Sequence, residues 1–253
     1  RQGPYVFYAM EKVVGMNLRD FIRTHRNIPL SIGLDIAIQI CDALSVLHMG
    51  HGEYPTPNIL HGDLKPANVM VHPYGKIKLL DFGIATPSGT TSGEDVYGTP
   101  AYMAPEQIAK QTLDHRTDIF SLGALFFELF TGQRLFVGQD IATLVKDRLQ
   151  VDQNTNLFEI TSRLGHRCPE LPSIIHRCVR GNPNERYNSV NRLQKDLMTV
   201  RESLAQPVPI TPWWTEQRTP GGVETKHVVH AKPINPTLPT LWCSTSAVLY
   251  RPA

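Results

Sequence analysis

The sequence predicts an α+β fold, mainly α, in which short β-ribbons frame one polar site, and its apolar patterning carries that expectation. Apolar residues recur at helical spacing in two long stretches, Ile32, Ile36, Ile40, Leu44 and Leu47, then Val190, Leu193, Leu197, Val200 and Leu204. That spacing marks helices with one buried face. Between them, Val69-Met70-Val71 and Ile77-Lys78-Leu79-Leu80 flank Pro73-Tyr74-Gly75, the pattern of two short strands joined by a turn. A further run from Ile119 to Phe130, closed by Gly132, is apolar on nearly every side, as a helix buried all round must be.

The remaining elements follow in chain order. Tyr5 to Met10 alternates aromatic and apolar residues and reads as a strand, ending at Glu11-Lys12-Val13-Val14-Gly15. Asn17 is an N-cap candidate for a short helix from Leu18 to about Arg26, with Leu18, Phe21 and Ile22 on one face, because its side chain can accept from a first-turn N–H. Pro29 and Ser31 open the first long helix, and His48 to Pro57, with Gly50, Gly52, Pro55 and Pro57, reads as a loop. Two more helices are expected over Asp140 to Leu149 and Pro169 to Arg180, and Ser189 caps the last one. After Gln206 the chain becomes dense in proline and threonine and loses helical period, so residues 207–253 read as a linker or disordered tail. His227 and His230 in that tail lack cysteine or carboxylate partners nearby and read as solvated side chains.

Bulk composition narrows the classes of function. With 41% hydrophobic and 19% charged residues, the chain can bury a core. A net charge of +2 is too mild to imply nucleic acid as a partner. Cys41, Cys168, Cys178 and Cys243 lie far apart with no Cys-x-x-Cys pair, which points to reduced buried thiols and a cytoplasmic setting. No apolar run suggests a membrane span, Leu241 to Tyr250 is too short for one, and no secretory signal opens the sequence.

The chemistry concentrates in His61-Gly62-Asp63-Leu64-Lys65-Pro66-Ala67-Asn68 and in Asp81-Phe82-Gly83. A ribbon formed by the strands after Asn68 and before Asp81 would bring those two residues to one end. Two hard oxygen donors meeting there suit Mg²⁺, which takes one or two protein carboxylates and leaves the rest of its shell to water and phosphate. Asp63, in the same cluster, can accept a hydroxyl proton.

This stretch resembles the catalytic and metal-binding loops of the protein kinases, and the resemblance runs from about Tyr5 to Leu204. It implies a large, C-terminal kinase lobe over residues 17–206, preceded at 1–16 by the last small-lobe strand and the hinge. It further implies ATP and Mg²⁺ (or Mn²⁺) as cofactors and a protein with Ser/Thr acceptors as substrate. By that resemblance Asp63 is the catalytic base, Lys65 neutralises charge on the moving phosphoryl group, and Asn68 and Asp81 hold the metal. The nucleotide would be bound by Met10, Glu11, Val13, Asn17 and Met70. His61 resembles the histidine that packs beneath Phe82. Gly98-Thr99-Pro100-Ala101-Tyr102-Met103-Ala104-Pro105-Glu106 resembles the segment that seats a peptide, with Thr99 bonding toward Asp63 and Lys65. Asp118 resembles the aspartate that bonds the catalytic-loop backbone near His61, and Arg186 the arginine that pairs with Glu106. Asp-Phe-Gly-Ile-Ala and the Ala-Pro-Glu-Gln ending resemble bacterial members specific for serine and threonine.

Two departures matter. Gly62 stands where most regulated kinases carry an arginine that pairs with an activation-loop phosphate, so activity independent of such phosphorylation is expected. No Gly-rich phosphate loop and no strand lysine precede the hinge strand. The chain is therefore expected to be a fragment with little or no activity alone, and to be cytoplasmic or the cytosolic part of a longer membrane-anchored protein. Two alternatives stay open: a pseudokinase or interaction module without phosphotransfer, and a small-molecule phosphotransferase, since His-Gly-Asp with a following Asn also occurs in aminoglycoside and choline kinases.

Overall fold

A computed structural model describes residues 12–49, 59–81, 86–90, 98–137 and 168–204, with single positions between 143 and 165. The strand expected at Tyr5–Met10, most of the loop at His48–Pro57, all but one residue of the helix at Asp140–Leu149 and the tail at 207–253 lie outside the described residues.

The described elements begin with β1 (Met16–Asn17) and α1 (Leu18–Thr24). Asn17 Oδ1 accepts from Asp20 N at 2.9 Å, capping α1. The helix stops at Thr24, two residues before its expected end, where His25 turns its backbone N–H and its ring Nδ1 onto the Phe21 carbonyl. The long helix α2 spans Leu30–Met49, so His48 belongs to it and not to the loop. Its Ile32, Ile36, Ile40 and Leu44 are fully buried.

By length and composition α2, with a mean hydropathy of 1.7, meets the measure of a membrane-crossing helix, which the sequence reading did not anticipate. Its packing accounts for that character. The helix lies along α6 (Val190–Ser203), the extended contact that its apolar stripe requires. Its polar side chains are also engaged: Asp35 takes both Nε and Nη2 of Arg201, at 2.7 and 3.0 Å. Gln39 donates to the Gly75 carbonyl at 2.9 Å and accepts from Ile77 N.

After α2 come β2 (Ile59–Leu60), a 3₁₀ turn at Pro66–Asn68, β3 (Val69–Val71), β4 (Ile77–Leu79) and β5 (Thr86–Pro87). β3 and β4 form the expected antiparallel ribbon, with Val69 opposite Leu79 and Val71 opposite Ile77. β1 adds to its other edge, Met16 opposite Val71, and this pairing was not foreseen. The approach depends on Gly15, whose φ is +144° and whose position would bring a Cβ within 2.3 Å of the Val71 carbonyl oxygen. β2 pairs with β5 in a separate two-stranded ribbon.

A short turn of helix, α3 (Pro105–Ile108), leads to α4 (His115–Thr131). Asp114 caps α4 by accepting from Arg116 N at 2.8 Å, and Gly132 ends it at φ 70°. The cap lies outside the apolar run, so the helix begins four residues before Ile119. Every residue from Thr117 to Leu129 is buried. α5 (Leu171–Cys178), shorter at both ends than expected, packs on α4 and on α6. Ser189 caps α6 through Arg192 N. Cys41, Cys168 and Cys178 are free and buried in this core.

Candidate active site

The site is assembled by a loop hung from a buried carboxylate. Asp118, in the first turn of α4, is fully buried, and its Oδ2 accepts from His61 N at 2.8 Å and from His48 Nε2 at 2.8 Å. Its Oδ1 accepts from Gly62 N at 2.9 Å. Burial pushes the Asp118 carboxyl up. The His48 side-chain hydrogen bond and the Gly62 N–H pull it down, and they leave it below the usual carboxylate range. A backbone held by one fixed anion at two successive N–H groups has little freedom to shift.

Gly62 has φ 74°, left-handed backbone that suits glycine, and the turn it makes presents Asp63. His61, fully buried, donates from Nε2 to the Leu80 carbonyl at 3.1 Å while its Nδ1 accepts from Asp63 N at 3.4 Å. One neutral tautomer satisfies both contacts. The ring therefore links the loop to the strand that leads to Asp81.

The polar side chains meet around the Asp63 carboxylate. Oδ2 accepts from Lys65 Nζ at 2.5 Å and from Asn68 Nδ2 at 3.3 Å, and Oδ1 accepts from Thr99 N at 2.8 Å. Lys65 Nζ also donates to Thr99 Oγ1 at 2.7 Å, so the lysine bridges the loop and the segment that follows Gly98. Asn68 Nδ2 reaches the Asp63 carbonyl as well, at 3.0 Å. With its amide nitrogen so engaged, Asn68 keeps Oδ1 as the oxygen able to face a cation. The Leu80 N–H bonds the Asn68 carbonyl at 2.8 Å, extending the β3–β4 register by one pair. Asp81, exposed and at φ 65°, therefore lies at the same end of the ribbon as Asn68. These are hard oxygen donors, and the pair fits a Mg²⁺ ion that completes its shell with phosphate and water.

The structure thus brings together Asp63, Lys65, Asn68 and Thr99, with Asp81 at the adjoining strand end. Met70 is buried on β3 opposite Asn17. Asn17 spends its side chain on α1: Oδ1 caps the helix and Nδ2 donates to Asp20 Oδ2 at 2.8 Å. Val13 is half-buried at the start of the described chain, while Met10, Glu11, Phe82 and Gly83 lie outside the described residues.

The segment after Thr99 is anchored separately. Tyr102 donates its hydroxyl to the Glu128 carboxylate, and Ser121 Oγ donates to the Tyr102 carbonyl at 2.8 Å. Glu106 is paired to Arg186 through two parallel bonds of 2.7 and 2.9 Å, with Thr117 Oγ1 adding a third at 3.0 Å. Arg186 is nearly fully buried, and its other N–H groups reach the carbonyls of Arg180, Arg116 and Gly181. Such a pair is stable because every donor and acceptor is used. His48 and Gln107 also belong to this framework and escaped the sequence reading. By its sequence His48 belongs to the edge of a Gly- and Pro-rich loop, and Gln107 only to the ending of a motif.

A carboxylate poised on a loop, an adjacent lysine and two metal-competent oxygens at a ribbon end define a phosphotransferase-like site of the kinase class. The protein kinase domain model matches residues 1–198, and the chain belongs to that family. Its relatives are serine/threonine kinases. It is 32% identical over 212 residues to serine/threonine-protein kinase PknB of Mycolicibacterium smegmatis, covering 82% of this chain and 32% of that protein. It is 32% identical over 216 residues to probable serine/threonine-protein kinase SCO3848 of Streptomyces coelicolor, covering 82% and 29%. It is 28% identical over 211 residues to serine/threonine-protein kinase PknL of Mycobacterium tuberculosis, covering 82% and 50%. The chain thus spans about a third of the length of the PknB it matches. Protein kinases as a family use ATP and Mg²⁺.

Proposed function

We propose that this chain is the catalytic lobe of a serine/threonine protein kinase that moves the γ-phosphoryl group of ATP to a protein Ser or Thr hydroxyl. The observation that carries the reading is the convergence of Lys65 Nζ and Thr99 N on the two oxygens of the Asp63 carboxylate. Asp63 orients the acceptor hydroxyl and takes its proton as the bond from that oxygen to the γ-phosphorus forms and the bond to the β–γ bridging oxygen breaks. ADP leaves. Lys65, fixed between Asp63 and Thr99, holds positive charge where the transferring group becomes most negative. Thr99, from the peptide-seating segment, ties substrate position to the base.

Asn68 Oδ1 and Asp81 would hold the metal, and a bound Mg²⁺ would neutralise and orient the phosphate oxygens. Val13 and Met70, together with Met10 and Glu11, border the adenine, and Asn17 flanks the ribose while capping α1. A Gly-rich loop and strand lysine of the kind that clamps α- and β-phosphates are not among this chain's residues, so the isolated chain is expected to transfer little phosphate and the whole protein to be active.

Nucleotide binding tests the metal assignment. Mg²⁺-dependent binding of ATP, measured by calorimetry, is expected to weaken at least about tenfold with Asp81→Ala, since loss of even the groups that orient a metal ligand costs that much. Binding that needs no metal and ignores the substitution would contradict it. A wild-type protein that binds no nucleotide would instead favour a lobe that serves as an interaction module.

A further inference from the structure

One buried side chain joins the loop that carries Asp63 to the segment that carries Thr99, and none of the roles above uses it. Gln107, in α3, is nearly fully buried. Its Nε2 donates to the Gly62 carbonyl at 2.9 Å, and its Oε1 accepts from Ala104 N at 2.9 Å. The amide orientation is set by chemistry, since a backbone N–H can only donate and a carbonyl can only accept. Gly62 immediately precedes Asp63, and Ala104 lies on the same connected segment as Thr99 and Tyr102, whose N–H bonds the Thr99 carbonyl at 2.9 Å.

Packing at this junction is close. A Cβ at Gly98 would stand 3.3 Å from the Gly62 oxygen and 3.0 Å from Met103 Cε, and Gly98 has φ +124°. Gly62 is therefore held at both of its backbone polar groups: its N–H by Asp118 and its carbonyl by Gln107.

We infer that Gln107 is a positioning residue that fixes the Gly62–Asp63 peptide against the peptide-seating segment, and that this uncharged bridge keeps base and acceptor in register without a phosphate. The inference rests on the phosphotransfer reading for its kinetic consequence but not for its structural one. Position 62 offers no side-chain donor, so Gly62 itself is tied only through its backbone, beside the side-chain ties that Asp63 and Lys65 make to Thr99. Gln107 holds the carbonyl of that peptide, whose N–H meets His61 Nδ1, and the Gln107 tie is electrically neutral, so neither charge nor modification sets it.

Two substitutions separate the bridge from the helix cap. Gln107→Glu keeps an oxygen for Ala104 N and loses the donor to Gly62, while Gln107→Met, of similar length, loses both and adds no charge. In the full-length protein both variants are expected to lower kcat on the order of tenfold or more, as misplaced catalytic groups do, with KM for MgATP unchanged. Hydrogen exchange at the Gly62 and Asp63 amides, whose bonds to Asp118 and His61 depend on the loop's register, is expected to speed up in both variants while α4 stays protected. Wild-type kcat and exchange in Gln107→Glu, with loss confined to Gln107→Met, would reduce Gln107 to a helix cap and overturn the inference. If the wild-type protein transfers no phosphate, the proposed function fails, and unchanged exchange in both variants still overturns the bridge on its own.

Discussion

Asp118 touches no substrate, yet its two carboxylate oxygens receive the His61 and Gly62 N–H groups and the His48 ring nitrogen inside a fully buried pocket. Replacing it by alanine strips three donors of their acceptor, so Asp118→Ala is expected to cost about 3–5 kcal/mol of stability, measured by urea unfolding. The ionised form carries a pH signature. Its folded pKa lies below the usual carboxylate value, so the stabilisation is present above the unfolded pKa of about 4 and is lost as pH falls from there through the folded value. Between pH 6 and 3 the urea midpoint of the wild type is expected to fall more steeply than that of Asp118→Asn, which has no carboxyl to protonate. Parallel curves would show that the anchor does not depend on charge. The sequence announced this aspartate through the motif it resembles, which places it against the catalytic-loop backbone near His61. It did not announce His48. That histidine continues the buried stripe of α2 one turn after Leu44, beside a Gly- and Pro-rich stretch, and it meets α4 only once the chain has folded.

At the scale of elements, close packing against α4 makes a graded prediction. A Cβ at Gly123 would lie 2.6 Å from both Cys178 Cβ and Val179 Cγ1, next to the α5 backbone. A Cβ at Gly33 would also meet an atom at 2.6 Å, but that atom is Phe130 Cε1, the far end of a ring that can swing. Gly123→Ala is therefore expected to destabilise by about 1–3 kcal/mol through overpacking, and Gly33→Ala by clearly less, as read from denaturation midpoints. Equal losses would mean that α5 moves as easily as a side chain. α2, α4 and α6 were legible because each carries an apolar pattern long enough to show its period, and β3 and β4 because a proline-glycine turn joins them. β1 was not legible. A two-residue strand, Met16–Asn17, has no period of its own, and its partner Val71 lies far along the chain. Helix ends shifted wherever a cap lay outside the apolar run, as Asp114 does at α4.

Across the whole molecule, buried ion pairs and backbone ties connect one core to one site. Glu106–Arg186 fixes the segment after Thr99 to the loop before α6, Asp118 fixes the Asp63 loop to α4, and His61 fixes that loop to the ribbon bearing Asp81. Asp63, Lys65, Asn68 and Thr99 were identifiable because motif order names them. That Thr99 offers both its backbone N–H and its hydroxyl to the cluster, and that Gln107 ties the Gly62 carbonyl, are properties of packing that no spacing displays. The decisive measurement is transfer of phosphate from MgATP to a Ser/Thr peptide by the full-length protein, wild type against Asp63→Asn, with nucleotide affinity measured on both. Loss of transfer by at least a hundredfold, on the scale of general-base catalysis, with affinity unchanged, is the expected result. Equal turnover in the two proteins would remove Asp63 from the reaction and contradict the proposed mechanism.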